Sequence, residues 1–582
     1  MTYVFVEPET ITTMAADLEG IGSAIDAASA AAAGPTSRLV PAAADEVSTA
    51  IAGLFGGYGQ QYQAVVAHAA AFHQQFTQTA AAAGLAYAQT EASSVAAISN
   101  ALEAFGTQAY SLLGGGNAAA SATPSASITT TPLTGPTVSL VMGGSGNPLP
   151  GPDYLADFFN YITPQFGVTT SQALFTPEQL YPLTGEKSLP LAISVSQGVQ
   201  ILHNAILGQI AEGNSVVVGG YSQSAIIASL EMQNLAAMPP GTAPTADQLG
   251  FLLLANPMNP NGGLLSRFAG LTLPSLGVDF YGSTPADTIY PTSIYTHEYD
   301  GFADFPRYPL NVVSDLNAIA GIAFVHTDTP TINPETLPPG DLIKLDTSAD
   351  YTGNTSYYLI HTERLPLLEP LRFIPVVGNP LADLLQPDLT TIVNLGYGDP
   401  RYGYSTAPAN IETPFSLFPE VDPKLVAQQL VIGTQQGFHN AAYDLVAPQP
   451  SPPTPRLFLD IPNPLASIAL PPPASLVAPT SIDGYINALQ TANTTVTNAF
   501  TDVLATSYAK LLPTADIINA GLTTVPSYNV NLFLDGIEQA VDGNPIGLIN
   551  AIGYPIAADA ALLGLAGGLE ALVLLGAIVT DF

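Results

Sequence analysis

The sequence has no cysteine and no tryptophan in 582 residues, and only 11 lysines and arginines. Without cysteine there can be no disulfide, no thiolate nucleophile and no thiolate metal site. The few basic side chains stand against 46 aspartates and glutamates, for a formal net charge of −35. That balance argues against nucleic acid or an anionic membrane surface as partner, because both attract basic protein. Sparse charge does not mean disorder here, since 47% of residues are hydrophobic and 10% are charged; that composition can fill a core. The length suits about two to four domains.

Other absences narrow the chemistry. The sequence has no G-x-G-x-x-G, no Walker lysine motif and no H-E-x-x-H, so neither a nucleotide cofactor nor a metal is expected. The opening MTYVFVEPETITTMAADLEG lacks a basic start, an apolar centre and a small-residue cleavage site. No cleaved general-secretory signal is expected. The apolar stretch from Ala560 to Thr580 is the one candidate membrane span, but Glu570 and several glycines interrupt it. The reading is a buried or interfacial helix, with membrane contact left open.

What is present falls into segments. Residues 8 to 105 are rich in Ala and Gln with apolar positions every three or four residues, and GLFGGYG at 53–59 splits them. This predicts a helical hairpin at 1–105 whose apolar stripe needs a partner helix pair. An Ala/Ser/Thr/Pro/Gly linker follows over 106–135. Over 136–375 the texture is α/β. Strand-like runs at Thr137–Met142, Ser215–Val218, Gly250–Ala255 and Ser293–Tyr299 alternate with helix-like Ser188–Ala211 and Ala225–Ala237. The pattern predicts a mostly parallel sheet covered on both faces. Residues 376–582 form a mainly helical and irregular extension, with a helical segment at Asp422–Ala447 and Pro-rich breaks.

The chemistry centres on Gly220-Tyr221-Ser222-Gln223-Ser224, where SVVVG leads in and AIIASLEMQNLAA leads out. A strand entering a sharp turn into a helix exposes the serine oxygen of a nucleophile elbow. The motif departs from G-x-S-x-G in its last residue, Ser224. That departure keeps a second reading in play, a catalytically silent surface or adaptor protein on a hydrolase fold.

A serine hydroxyl needs a base held by an acid, in the chain order Ser, acid, His for this fold. Four of the seven histidines follow Ser222. His297 sits inside a strand-like run, and His439 falls outside the α/β region. His326 follows a helix-like segment into a polar loop and is the first candidate; His361, in TSYYLIHTERLPLL, is the alternative. The acid lies in Tyr299-Asp300-Gly301-Phe302-Ala303-Asp304. Asp300 comes directly off a strand end, and Asp304 is the other choice. The oxyanion hole needs two backbone N–H groups: that of Gln223, and one from Gly144 or Ser145 in the glycine loop after the first strand.

Two resemblances follow from these residues. Pro8-Glu9 before the first helix, and Tyr87-Ala88-Gln89-Thr90-Glu91 near the end of the second, closely resemble the mycobacterial PE domain. The resemblance implies pairing with a PPE-type protein and export by type VII secretion to the cell envelope or surface, with Tyr87 and Glu91 in the signal. The runs GGSGNP at 143–148, GYSQS at 220–224, LLANPMNPNGG at 253–263, YDGFADFP at 299–306 and LPLLEPLR at 365–372 resemble the PE-PPE domain. That domain is a cutinase- and lipase-like serine hydrolase module. It implies an acyl-ester substrate, or acyl transfer onto trehalose-type glycolipids.

Overall fold

The computed structural model describes residues 133–168, 170–185, 187–444 and 512–581 in continuous stretches. The predicted N-terminal hairpin, Tyr87 and Glu91 lie outside the described residues.

A seven-stranded sheet forms the centre. Its strands are β1 (Thr137–Val141), β2 (Thr170–Ala173), β3 (Ser215–Tyr221), β4 (Leu249–Leu254), β5 (Thr292–His297), β6 (Leu342–Lys344) and β7 (Thr355–Ile360). They lie in the order β2-β1-β3-β4-β5-β7-β6. Every pairing is parallel except β6 with β7. The mostly parallel α/β architecture expected from the sequence is the one observed.

The central strands read as unbroken apolar runs because both their faces are covered. In β3, Val216 and Val218 join one core and Val217 the other; in β4, Phe251 and Leu253 oppose Leu252 and Leu254 in the same way. This is the two-residue period of a pleated strand. Each fully buried Val or Leu stabilises the fold by about 1.5–3 kcal/mol.

One face is covered by α1 (Pro152–Phe166), which buries Phe158, Tyr161, Ile162 and Phe166. Proline at its first turn suits a helix start, and Gly167 at φ 63° ends it. The other face carries α2 (Leu191–Ala211) and α3 (Gln223–Ala236). They meet where a Cβ on Gly198 would come within 2.3 Å of Ile227. Helix α4 (Val312–Phe324) leads to a 3-10 turn at His326–Thr331.

Beyond the sheet, α5 (Gly378–Leu395) packs on α6 (Pro423–Asp444), and α7 (Leu512–Val541) on α8 (Gly547–Asp581). The hydrophobic core does not stop at residue 375. Ala409, Phe415, Leu417, Leu532, Ala557, Ala558, Ala561 and Leu562 join the cluster built on β3 and β4. A Cβ on Gly553 would sit 2.4 Å from Leu417, and one on Gly568 2.8 Å from Ile319, so α8 lies close on this body.

The apolar run around residue 560 is therefore part of α8. Residues Gly547–Val573 are long and apolar enough to cross a membrane, with mean hydropathy 1.7. Only 22% of that window is buried, so the helix is less enclosed than a core helix. Its two carboxylates within that span have polar neighbours: Asn529 donates to Asp559 at 2.7 Å, and Thr514 to Glu570 at 2.7 Å.

Candidate active site

The turn after β3 holds Ser222 at φ 55° and ψ −116°, a conformation that strains any residue bearing a Cβ. The surroundings enforce it. A Cβ on Gly220 would lie 2.8 Å from the Ser224 carbonyl oxygen, so only glycine fits there. Ser224 fastens the other side, accepting the Tyr221 N–H at 2.8 Å and donating to the Tyr221 carbonyl at 3.1 Å. The irregular last residue of the motif thus braces the turn. Ser222 itself is 5% exposed at the head of α3.

His326 Nε2 lies 2.8 Å from Ser222 Oγ. Its Nδ1 lies 2.8 and 2.7 Å from the two oxygens of Asp300. Both His326 and Asp300 are fully buried. A carboxylate on Nδ1 fixes the tautomer that leaves Nε2 to accept the serine proton.

Glycine brings acid and histidine together. A Cβ on Gly301 would come within 2.2 Å of the Ala318 carbonyl, and one on Gly321 within 1.9 Å of the Tyr299 carbonyl. The acid loop therefore lies with its backbone directly on α4, whose end delivers His326. Tyr299, at φ 67°, makes the bend that aims Asp300. The N–H groups of Phe302 and Ala303 donate to Asp300 Oδ1 at 2.9 and 3.3 Å.

Two aromatic residues without a role in the sequence reading flank the imidazole. The Tyr221 ring stacks on it at 5.2 Å, and Phe302 meets it edge-on at 4.9 Å. The Tyr221 hydroxyl also donates to the His326 carbonyl at 3.0 Å. An aromatic between the glycine and serine of the elbow was the available signal for Tyr221.

The other candidates stand elsewhere. Asp304 turns back on its own loop, where its Oδ2 accepts the Tyr299 N–H at 3.0 Å. Burial pushes its carboxyl well above the usual range, with Arg267 pulling the other way. His361 Nδ1 pairs with Glu298 Oε2 at 2.5 Å, and that bond raises the imidazole's proton affinity. His297 is half-buried at the end of β5, and desolvation lowers its pKa to about 4. His439 is exposed on α6.

The glycine loop lies against the elbow. A Cβ on Gly144 would stand 2.6 Å from the Tyr221 ring and 3.5 Å from the Ser222 Cβ. Ser145 Oγ donates to Gln223 Oε1 at 2.8 Å, and Gln223 Nε2 donates to Ser194 Oγ at 2.8 Å. Both segments named for the oxyanion hole are thus tied side by side next to Ser222. Among the described residues no group of histidines and carboxylates is arranged to hold a metal ion.

Comparison with known proteins places the chain. The PE-PPE domain family matches residues 167–398, and the PE family matches residues 4–94. PE family protein PE3 of Mycobacterium tuberculosis (strain ATCC 25618 / H37Rv) is 46% identical over 466 residues, 80% of this chain and 93% of that one. The chain belongs to the PE family and carries a PE-PPE domain. From the same strain, Esterase PE16 is 45% identical over 432 residues, 74% of this PE family chain and 75% of PE16. The PPE family protein PPE28 is 52% identical over 452 residues, and the chain spans 66% of its length. A cutinase-like protein from Cryptococcus sp. matches 31% of the chain and 82% of that structure at 16% identity. Its TM-score is 0.20, a likeness too slight to bear on the argument.

Proposed function

We propose that this protein is a serine carboxylic-ester hydrolase that works through an acyl-enzyme on Ser222. The observation that carries the reading is the unbroken relay of Ser222 Oγ, His326 and Asp300, with links of 2.8 and 2.7 Å. In the proposed reaction Ser222 attacks the ester carbonyl while His326 takes the hydroxyl proton through Nε2. The backbone N–H of Gln223 and one from Gly144 or Ser145 receive the oxyanion. His326 returns the proton to the departing alcohol, and Asp300 keeps the imidazole oriented throughout. Water then repeats the sequence and frees the acid.

Similarity to Esterase PE16 supports an ester substrate. A sugar hydroxyl in place of water would give acyl transfer onto a trehalose-type glycolipid from the same acyl-enzyme. The intact bracing of the elbow by Ser224 counts against a silent surface or adaptor protein. The test is hydrolysis of p-nitrophenyl esters together with labelling by a fluorophosphonate. Both are expected in the wild type and absent in Ser222→Ala; activity retained in a folded Ser222→Ala would overturn the reading.

Membership of the PE family and similarity to PPE relatives support pairing of residues 1–105 with a PPE-type protein. On this reading Tyr87 and Glu91 belong to a type VII secretion signal, and the enzyme acts at the cell envelope or surface. On the same reading a linker over 106–135 precedes a hydrolase domain at 136–375 and a C-terminal extension at 376–582, from which Phe415, Leu417, Leu532 and Leu562 join the core of the sheet.

A further inference from the structure

A short strap over 174–178 runs beside the end of β1 and the glycine loop and is bonded to both. Leu174 N–H donates to the Val141 carbonyl at 2.9 Å, and Thr176 N–H to the Pro148 carbonyl at 3.1 Å. Gly146 N–H donates back to the Glu178 carbonyl at 2.7 Å. The strap ends on Glu178, which holds φ 47°, a left-handed conformation costly for a residue with a side chain. The next N–H, that of Gln179, donates to Ser194 Oγ at 2.9 Å. Ser194 Oγ is also the acceptor of the Gln223 side chain, so one strap reaches both segments of the oxyanion site.

The Glu178 side chain is wholly enclosed. Its Oε1 accepts the Thr176 hydroxyl at 2.6 Å, and its Oε2 has no hydrogen-bond partner among the described residues. A charged carboxylate so placed would be strongly destabilised, whereas a neutral acid is tolerated. The ionisable group facing it from α1 is Tyr154, whose hydroxyl donates to the Met142 carbonyl at 3.4 Å, at the root of the glycine loop. Burial keeps that phenol neutral.

We propose that Glu178 is a positioning residue for the oxyanion site, holding the 143–148 loop through its backbone bond and an uncharged, buried carboxyl group. The inference rests on the hydrolase reading of Ser222. Loss of its proton would set a negative charge behind the loop whose N–H groups must receive another. Desolvation lifts the Glu178 carboxyl to about 8, with the Thr176 hydroxyl pulling it down. Wild-type turnover therefore falls as the pH rises through that value, while KM holds steady.

The test uses the full chain with p-nitrophenyl butyrate, comparing wild type, Glu178→Gln and Glu178→Ala, with Ser222→Ala as the blank. Glu178→Gln stays neutral and is expected to keep near-neutral kcat within about threefold and to lose the alkaline fall. Glu178→Ala is expected to lower kcat about 10- to 100-fold with little change in KM, less than the about 100- to 1000-fold of a deleted oxyanion donor. An unchanged alkaline fall in Glu178→Gln, or a kcat in Glu178→Ala equal to wild type, would overturn the proposal. Hydrogen–deuterium exchange of the 143–148 loop decides it without turnover. Faster exchange in Glu178→Ala supports the positioning role, and unchanged exchange overturns it. If the wild type shows no Ser222-dependent hydrolysis, the hydrolase reading fails, and the exchange measurement still judges the strap.

Discussion

Ser224 Oγ holds both the N–H and the carbonyl of Tyr221, closing the turn beneath Ser222 from the inside. A glycine at this position would fit but could make neither bond.

Ser224→Gly is therefore expected to lower stability by about 1–2 kcal/mol, from two lost hydrogen bonds and the entropy of glycine in a helix. Gly220 still enforces the turn, so kcat/KM should stay within about fivefold. Urea unfolding and ester hydrolysis on the same preparation check both. A large loss of activity without loss of stability would mean that the hydroxyl does more than brace the turn.

Asp300 and Asp304 separate cleanly. Asp300→Asn leaves the imidazole with the wrong tautomer and is expected to cut kcat by about 10⁴. Asp304→Asn still offers an oxygen to the Tyr299 N–H and replaces a carboxyl that burial already disfavours as an anion. Its kcat should remain within about tenfold of wild type. Parallel kinetics on the two variants check the assignment, and a reversed order would make Asp304 the acid.

Gly144→Ala drives a methyl group into the Tyr221 ring that backs His326. Either the loop or the ring must move, so acylation is expected to slow by at least about tenfold, the scale of a displaced oxyanion donor. Stopped-flow acylation measures it directly. An unchanged rate would show that the loop can shift without disturbing the site.

His361 supplies a pH signature apart from the chemistry. Glu298 raises its proton affinity in the folded state. The stabilisation is thus fully present below the ordinary histidine range and is lost as pH rises through the raised value. The stability difference between wild type and His361→Gln should shrink from mildly acid to alkaline pH, with ester hydrolysis little changed. Urea midpoints across that range provide the measurement.

Much of this was legible in the residues. The valine run of β3 and the leucine run of β4 announce strands covered on both faces, and Gly220 with Ser222 announces the elbow. Asp300 and Asp304 were harder to separate, because both follow one strand within a single turn. The contact that brings this loop onto the helix before His326 is between backbones, at Gly301 and Gly321, and no local pattern reports it. β2, with sequence TSQA and an exposed face, carries no apolar alternation and passes as loop. Glu178 was equally silent, since a lone glutamate reads as a solvated side chain until the fold encloses it.

The enclosure of His326 has a kinetic consequence. With Nδ1 held by Asp300 and the ring wedged between Tyr221 and Phe302, Nε2 is its one nitrogen left to exchange protons. In the proposed reaction the first alcohol and the second acceptor must use that nitrogen in turn. The alcohol has to leave before water or sugar can be activated. Such a catalyst obeys ping-pong kinetics, with parallel double-reciprocal lines for any acceptor it takes.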